Sequence, residues 1–318
     1  MILFLTGSIS CRQISSSPDI IKKGKLNYDF TFAELAVKYL ETEDSLYLQE
    51  IANLEAINHI FKHANQYHYN VPKESRLDLV KYLLTPIEEK KKVLPKFKRN
   101  LEYAKTQIAA TDLPQQYCLE YLPEGFEYSG SLFFTFGYDL GVVYGKNASL
   151  NLAHPNYLED MYEIHYYSLH ELHHAGFFEI KNSPMPSLAI TNYEQMSKLI
   201  EILTHLEGMG TYVPLSIREK ENAMNSDGDY VCLQDDELMK TYEQEYFNIY
   251  NHFKNNPHAL VTDDDWDKLS ILSDKRRLWY RVGATMAQTI DKKLGREKLT
   301  ELIAQPSENF ISTYLRLK

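Results

Sequence analysis

The chain has 318 residues, 44% hydrophobic and 25% charged, the composition of a globular protein with material for one large or two modest domains. Its formal net charge of −10 argues against nucleic acid as the main partner, because phosphate binding needs a basic surface. Cys11, Cys118 and Cys232 are widely spaced and form no C-x-x-C, so neither a disulfide framework nor a cysteine-type zinc site is suggested.

No apolar run approaches the roughly 20 residues that would span a bilayer. Residues Met1 to Ser10 (MILFLTGSIS) are apolar and precede Cys11 and a polar stretch that ends at Pro18. This resembles the end of a lipoprotein signal and a tether, but it has no basic n-region. Residues 1–29 are therefore expected as a tail. As written the chain reads as cytoplasmic. Anchoring to the cell envelope through Cys11 is the alternative if the true start lies upstream.

Residues 30–122 read as a helical N-terminal region. Phe32, Leu35, Ala36 and Tyr39 recur at helical spacing, as do Leu46, Leu48, Ile51, Leu54, Ile57, Ile60 and Phe61. Pro72 and Pro86 punctuate this region, and a charged helix is expected from Ile87 to Ala110. On the earlier, Leu- and Ile-rich helix His59 and His63 stand four apart, but no glutamate follows the first of them. They read as the polar edge of a packing helix rather than a second metal site.

The pattern changes near Pro123-Glu124-Gly125, where a second region, 123–318, begins. Between Ser131 and His154 it shortens and alternates, which predicts two or three antiparallel strands. A helix is expected next, with Asn156 as N-cap, Glu159 completing a capping box and Gly176 at its C′ position. Further helices are expected over Tyr193 to Tyr212, Glu237 to Phe253 and Ser273 to Leu294, with 222–235 as a loop and a short helical pair at the C-terminus. The fold class is α+β, mostly helical.

The helix that follows the strands carries His170-Glu171-Leu172-His173-His174, an H-E-x-x-H. Residues i and i+4 leave the same face of a helix, so His170 and His174 can bind one zinc ion, and Glu171 is set to reach a water on the metal as general base. Residues 175–180 contain no further histidine, which removes the three-histidine continuation. The third ligand is then a glutamate from the following helix, with Glu194, Glu201 and Glu207 as candidates. Glu207 is preferred, because Gly208 and Gly210 beside it let that helix approach closely. Tyr280 is the choice for stabilising the oxyanion, ahead of Tyr212 and Arg281. A strand at Ala148 to Leu152 is expected as an exposed edge that could pair with a peptide substrate.

H-E-L-H-H-A-G-F followed by H-L-E-G-M-G-T-Y resembles gluzincin-type zinc peptidases, in which an E-G-x-[AG]-x-Y helix supplies the glutamate ligand. Most closely it resembles a poorly characterised bacterial family of predicted zinc-dependent peptidases. Tyr280-Arg281-Val282-Gly283-Ala284 is similar to a Tyr-x-x-Gly-Ala helix in such proteins. The resemblance covers roughly residues 130 to 300 and implies a zincin-like catalytic region, one zinc ion and a peptide or protein substrate. A zinc-binding protein without hydrolytic activity, and a helical protein without metal, are the other classes considered.

Overall fold

A computed structural model describes residues 18–181 and 189–318. The apolar N-terminus with Cys11 lies outside the described residues.

Residues 20–29, expected as the end of a tail, instead form a hairpin. Strands β1 (Ile20–Lys23) and β2 (Leu26–Asp29) are joined by Gly24 and Lys25, with Gly24 at φ 58°. Helices α1 (Thr31–Thr42), α2 (Leu46–Ala52), α3 (Glu55–Gln66) and α4 (Arg76–Leu84) follow. The long helix α5 (Ile87–Tyr103) runs on into a π-helical segment, Ala104–Ala109, and the short α6 (Leu113–Leu119) comes next.

Three strands, β3 (Ser131–Thr135), β4 (Gly141–Tyr144) and β5 (Asn147–Asn151), complete a five-stranded sheet in the order β1-β2-β3-β5-β4. The sheet is mixed, not antiparallel as expected. β2 pairs parallel with β3, and β3 parallel with β5, whereas β1–β2 and β4–β5 are antiparallel hairpins. β5 therefore lies inside the sheet, and the outer strand on that side is β4. The central strand β3 is buried along Leu132, Phe133 and Phe134, as suits a parallel strand covered on both faces, and the Phe30 ring stacks on Phe134 at 4.4 Å.

The helix expected from Asn156 is two helices. His154 caps α7 (Pro155–Glu159), its ring nitrogen accepting from the Asn156 N–H at 3.3 Å. Asp160 then turns extended and accepts from the N–H of Tyr162 at 2.9 Å, a local bond that competes with helix continuation. After that break α8 (Glu163–Lys181) starts afresh. Gly176 does not end it. A Cβ there would fall 2.6 Å from the Leu122 side chain, so this glycine serves packing. Every residue from Ser168 to Phe177 is buried, which makes α8 a central helix.

The next helix, α9 (Tyr193–Lys220), also runs past its expected end. The expected loop contains α10 (Gly228–Leu233), followed by α11 (Asp236–Lys254) and α12 (Asp263–Ser270). A π-helical segment, Ile271–Lys275, and a break at Arg276 and Arg277 lead into α13 (Leu278–Leu294), which Gly295 terminates as expected. The chain closes with α14 (Arg296–Glu301) and α15 (Glu308–Leu317). No helix among the described residues is long and apolar enough to cross a membrane.

The start of α8 and the end of α9 are joined by a buried ion pair. Arg218 donates to both oxygens of Glu163, at 2.9 and 2.5 Å, and to Ser226 Oγ at 3.0 Å. Its guanidinium lies between the Tyr166 and Tyr230 rings, 4.0 and 4.2 Å from their centroids. Removing one partner of a buried pair leaves the other as an uncompensated charge, a loss of about 3–5 kcal/mol. Arg218→Met should lower the urea midpoint accordingly, and Arg218→Met combined with Glu163→Leu should recover part of the loss. A single variant with an unchanged midpoint would contradict this role.

Candidate metal centre

Helix α8 presents His170 and His174 one turn apart, their rings 4.3 Å between centroids. Glu207 reaches them from α9. Its Oε2 lies 3.3 Å from His170 Nε2 and 3.0 Å from His174 Nε2. These three groups form the cluster among the described residues that could hold a metal ion. The donor set fits zinc. Bonds of about 2.0–2.1 Å in tetrahedral geometry put neighbouring donor atoms about 3.3 Å apart.

The other two glutamates weighed for this position are used elsewhere. Glu194 pairs with Lys198 at 2.6 Å on the surface of its own helix. Glu201 is buried, and accepts from Tyr250 at 2.7 Å and Lys254 at 2.8 Å. His173, between the two clustered histidines, turns into the core near Phe177.

Two glycines set how near α9 comes. A Cβ on Gly210 would lie 2.5 Å from His174 Cε1 and 2.9 Å from His170 Cε1. Gly208 faces the other way, onto α13, where its Cβ would meet the Gly283 backbone at 2.5 Å.

Burial pushes the Glu171 carboxyl up to about 8, with the Glu207 and Asp139 charges adding to it and His170 opposing. Burial acts on Glu207 in the same sense, but His174 and His170 outweigh it and hold this carboxyl well below the usual range. The two carboxylates thus sit on opposite sides of neutrality.

The cluster opens into a cavity of about 690 Å³. β4 forms one wall. Gly141 on it lies so close to Glu171 that a Cβ would fall 2.6 Å from Oε1. Across the cavity the Tyr280 ring stacks on His170, 6.2 Å between centroids and 14° between planes. The Tyr280 hydroxyl makes no hydrogen bond among the described residues, and burial, first, and then the Glu207 charge keep it protonated. Tyr212 is taken by Asp291, at 2.7 Å, and Arg281 by Asp229, at 2.9 Å.

Sequence reasoning missed much of the remaining wall. His63, set aside as a polar edge, is buried at the cavity side and shares a 2.8 Å hydrogen bond with the Tyr138 hydroxyl. His59 is buried against Phe133. Tyr67, Tyr69, Asp139, Asp229 and Arg277 also line the cavity. The dense run Tyr67-His68-Tyr69 was the one signal available for the first two.

Gly210→Val should cut the zinc content of purified protein well below one per chain while the circular dichroism stays native. Stoichiometric zinc in that variant would break the packing argument. In metal-free protein the raised Glu171 group has a second effect. The unfolded chain releases this proton near 4.5 and the folded one near 8, so stability is lost as pH rises through that window. Glu171→Gln should therefore raise the melting temperature of chelator-treated protein more at pH 8 than at pH 5, and an equal shift at both would refute the assignment.

Residues 36–317 match the family described as "Putative zinc dependent peptidase (DUF5700)". No curated protein and no solved structure matches the chain. With nearly its whole length matched, the chain belongs to this peptidase family.

Proposed function

We propose that the protein hydrolyses peptide bonds as a gluzincin-type peptidase, with His170, His174 and Glu207 holding one zinc ion and Glu171 as general base. The observation that carries this reading is the convergence of two Nε2 atoms and one carboxylate oxygen at 3.0 and 3.3 Å on a cavity that also receives Glu171. A zinc ion held there would acidify a water toward neutral pH and polarise the scissile carbonyl.

The chain's own groups supply the remaining chemistry. Glu171, its ionised form favoured by a cation held by the three donors, accepts at Oε the proton of the attacking water and returns it to the leaving amine. The Tyr280 hydroxyl, unpaired and kept neutral, donates to the oxyanion. Of the three groups considered for that role it is the one not engaged by another carboxylate. The substrate backbone pairs with β4, which replaces β5 as the expected edge because β5 is flanked by β3 and β4. Residues on β4 line the cavity beside Glu171.

Hydrolysis of a mixed peptide library should be abolished by a chelator and restored by zinc. Glu171→Gln should keep near-stoichiometric zinc and lose about 10²–10⁴ in kcat, the usual contribution of a general base. Full activity in that variant would overturn the role of Glu171. Stoichiometric zinc with no hydrolysis of any library member by the wild type would favour a zinc-binding protein without peptidase activity.

A further inference from the structure

Arg277 is a cation in the cavity whose outer edge the surrounding packing does not use. It stands at the start of α13 with a left-handed backbone, φ 49° and ψ 44°, a conformation that a non-glycine residue keeps only where its surroundings enforce it. Its guanidinium carbon lies 3.6 Å over the centre of the Tyr280 ring, and that ring in turn stacks on His170. On one side Nε donates to both oxygens of Asp229, at 2.8 and 3.1 Å. Arg281 donates to the same carboxylate at 2.9 Å, so one negative charge serves two guanidinium groups. The terminal nitrogens of Arg277 make no hydrogen bond among the described residues, and 36% of the side chain is exposed, on a residue that lines the cavity.

Other charged groups of this wall are engaged. Asp227 accepts from the Tyr167 hydroxyl at 2.9 Å, and Asp139 from Tyr69 at 2.6 Å. Arg218 is closed off by Glu163. A planar guanidinium seated over the centre of an aromatic ring, with its outer N–H edge free, suits a carboxylate bound through two parallel hydrogen bonds. The positive end of α13 lies at the same residue and favours an anion further. The two stacking separations place the guanidinium within about three residues of extended chain from the His170 ring.

We propose that Arg277 binds a carboxylate of the peptide substrate, either its C-terminus or an Asp or Glu side chain, within about three residues of the scissile bond. Arg277 is then the residue that makes the enzyme select anionic peptides. This rests on the peptidase reading of the site.

Binding can be measured without turnover in the zinc-loaded Glu171→Gln protein, by calorimetric titration with acetylated alanine tetrapeptides. One arm compares the free C-terminal acid with its amide. The other compares amidated peptides that carry Glu or Gln at one internal position. One arm or both should show a preference for the carboxylate of about tenfold or more, and the arm that shows it identifies the source. Adding Arg277→Gln should reduce that preference to about twofold or less, with zinc content and melting temperature retained, since Arg281 still neutralises Asp229. Arg277→Lys, which keeps the charge but not the fork, should reduce it by about threefold. Equal or undetectable binding of both forms in both arms, or a preference that survives the Arg277 substitutions, overturns the proposal. Cleavage of the same peptides by the wild type is scored separately. Carboxylate-selective binding without cleavage would sink the peptidase reading and leave the Arg277 site standing.

Discussion

The site depends on how closely one helix can pass between two others. Gly208 and Gly210 stand two residues apart on α9, about 200° around the helix axis, so they thin it on nearly opposite sides. One side lets the imidazoles of α8 come within hydrogen-bond distance of Glu207, and the other seats α9 on Gly283 of α13. Glycine weakens a helix interior by about 1 kcal/mol relative to alanine, and here that cost is set against two tight interfaces. Tyr280 and Arg277 hang from α13, so the same crossing fixes where the aromatic and cationic wall stands relative to the histidines.

Electrostatics follow from this crowding. Burial acts on Glu171 and Glu207 in the same sense, yet they respond oppositely because only Glu207 touches two imidazoles. A cation bound to the three donors would relieve the repulsion between these carboxylates. Metal binding and stability are therefore linked by mass action, and the folded state is favoured further as free metal rises above its dissociation constant.

The local parts of the site were legible in the sequence. The i, i+4 histidines, the glutamate between them and Glu207 among its glycines follow from helix periodicity and from side-chain size. What could not be read was non-local. The parallel pairing of β2 with β3 joins residues about a hundred positions apart, and no pattern inside either strand announces it. Gly176 looked like a helix stop because nothing in the sequence places Leu122 against it. The expected capping box at Asn156 was pre-empted by His154, which caps two residues earlier, and at Asp160 a side chain captures a backbone N–H two residues on, where the helix breaks. Arg277 and Asp229 are brought together by the return of α13 to the cavity. His63 reads as the polar edge of a packing helix because its hydrogen-bond partner, Tyr138, lies on a distant turn.

Gly141 is the small contact with the widest consequence. Glu171 packs directly against the backbone of β4, with no side chain between them. On the proposed reading, a peptide that pairs with β4 is indexed by main-chain hydrogen bonds to the same backbone that braces the base. The distance from Glu171 to a substrate carbonyl is then gauged by the pleat, whatever residues the peptide carries. Reactivity and selectivity become separable: the outer strand acts as a ruler for any chain, while the side-chain walls of the cavity decide which chains are admitted.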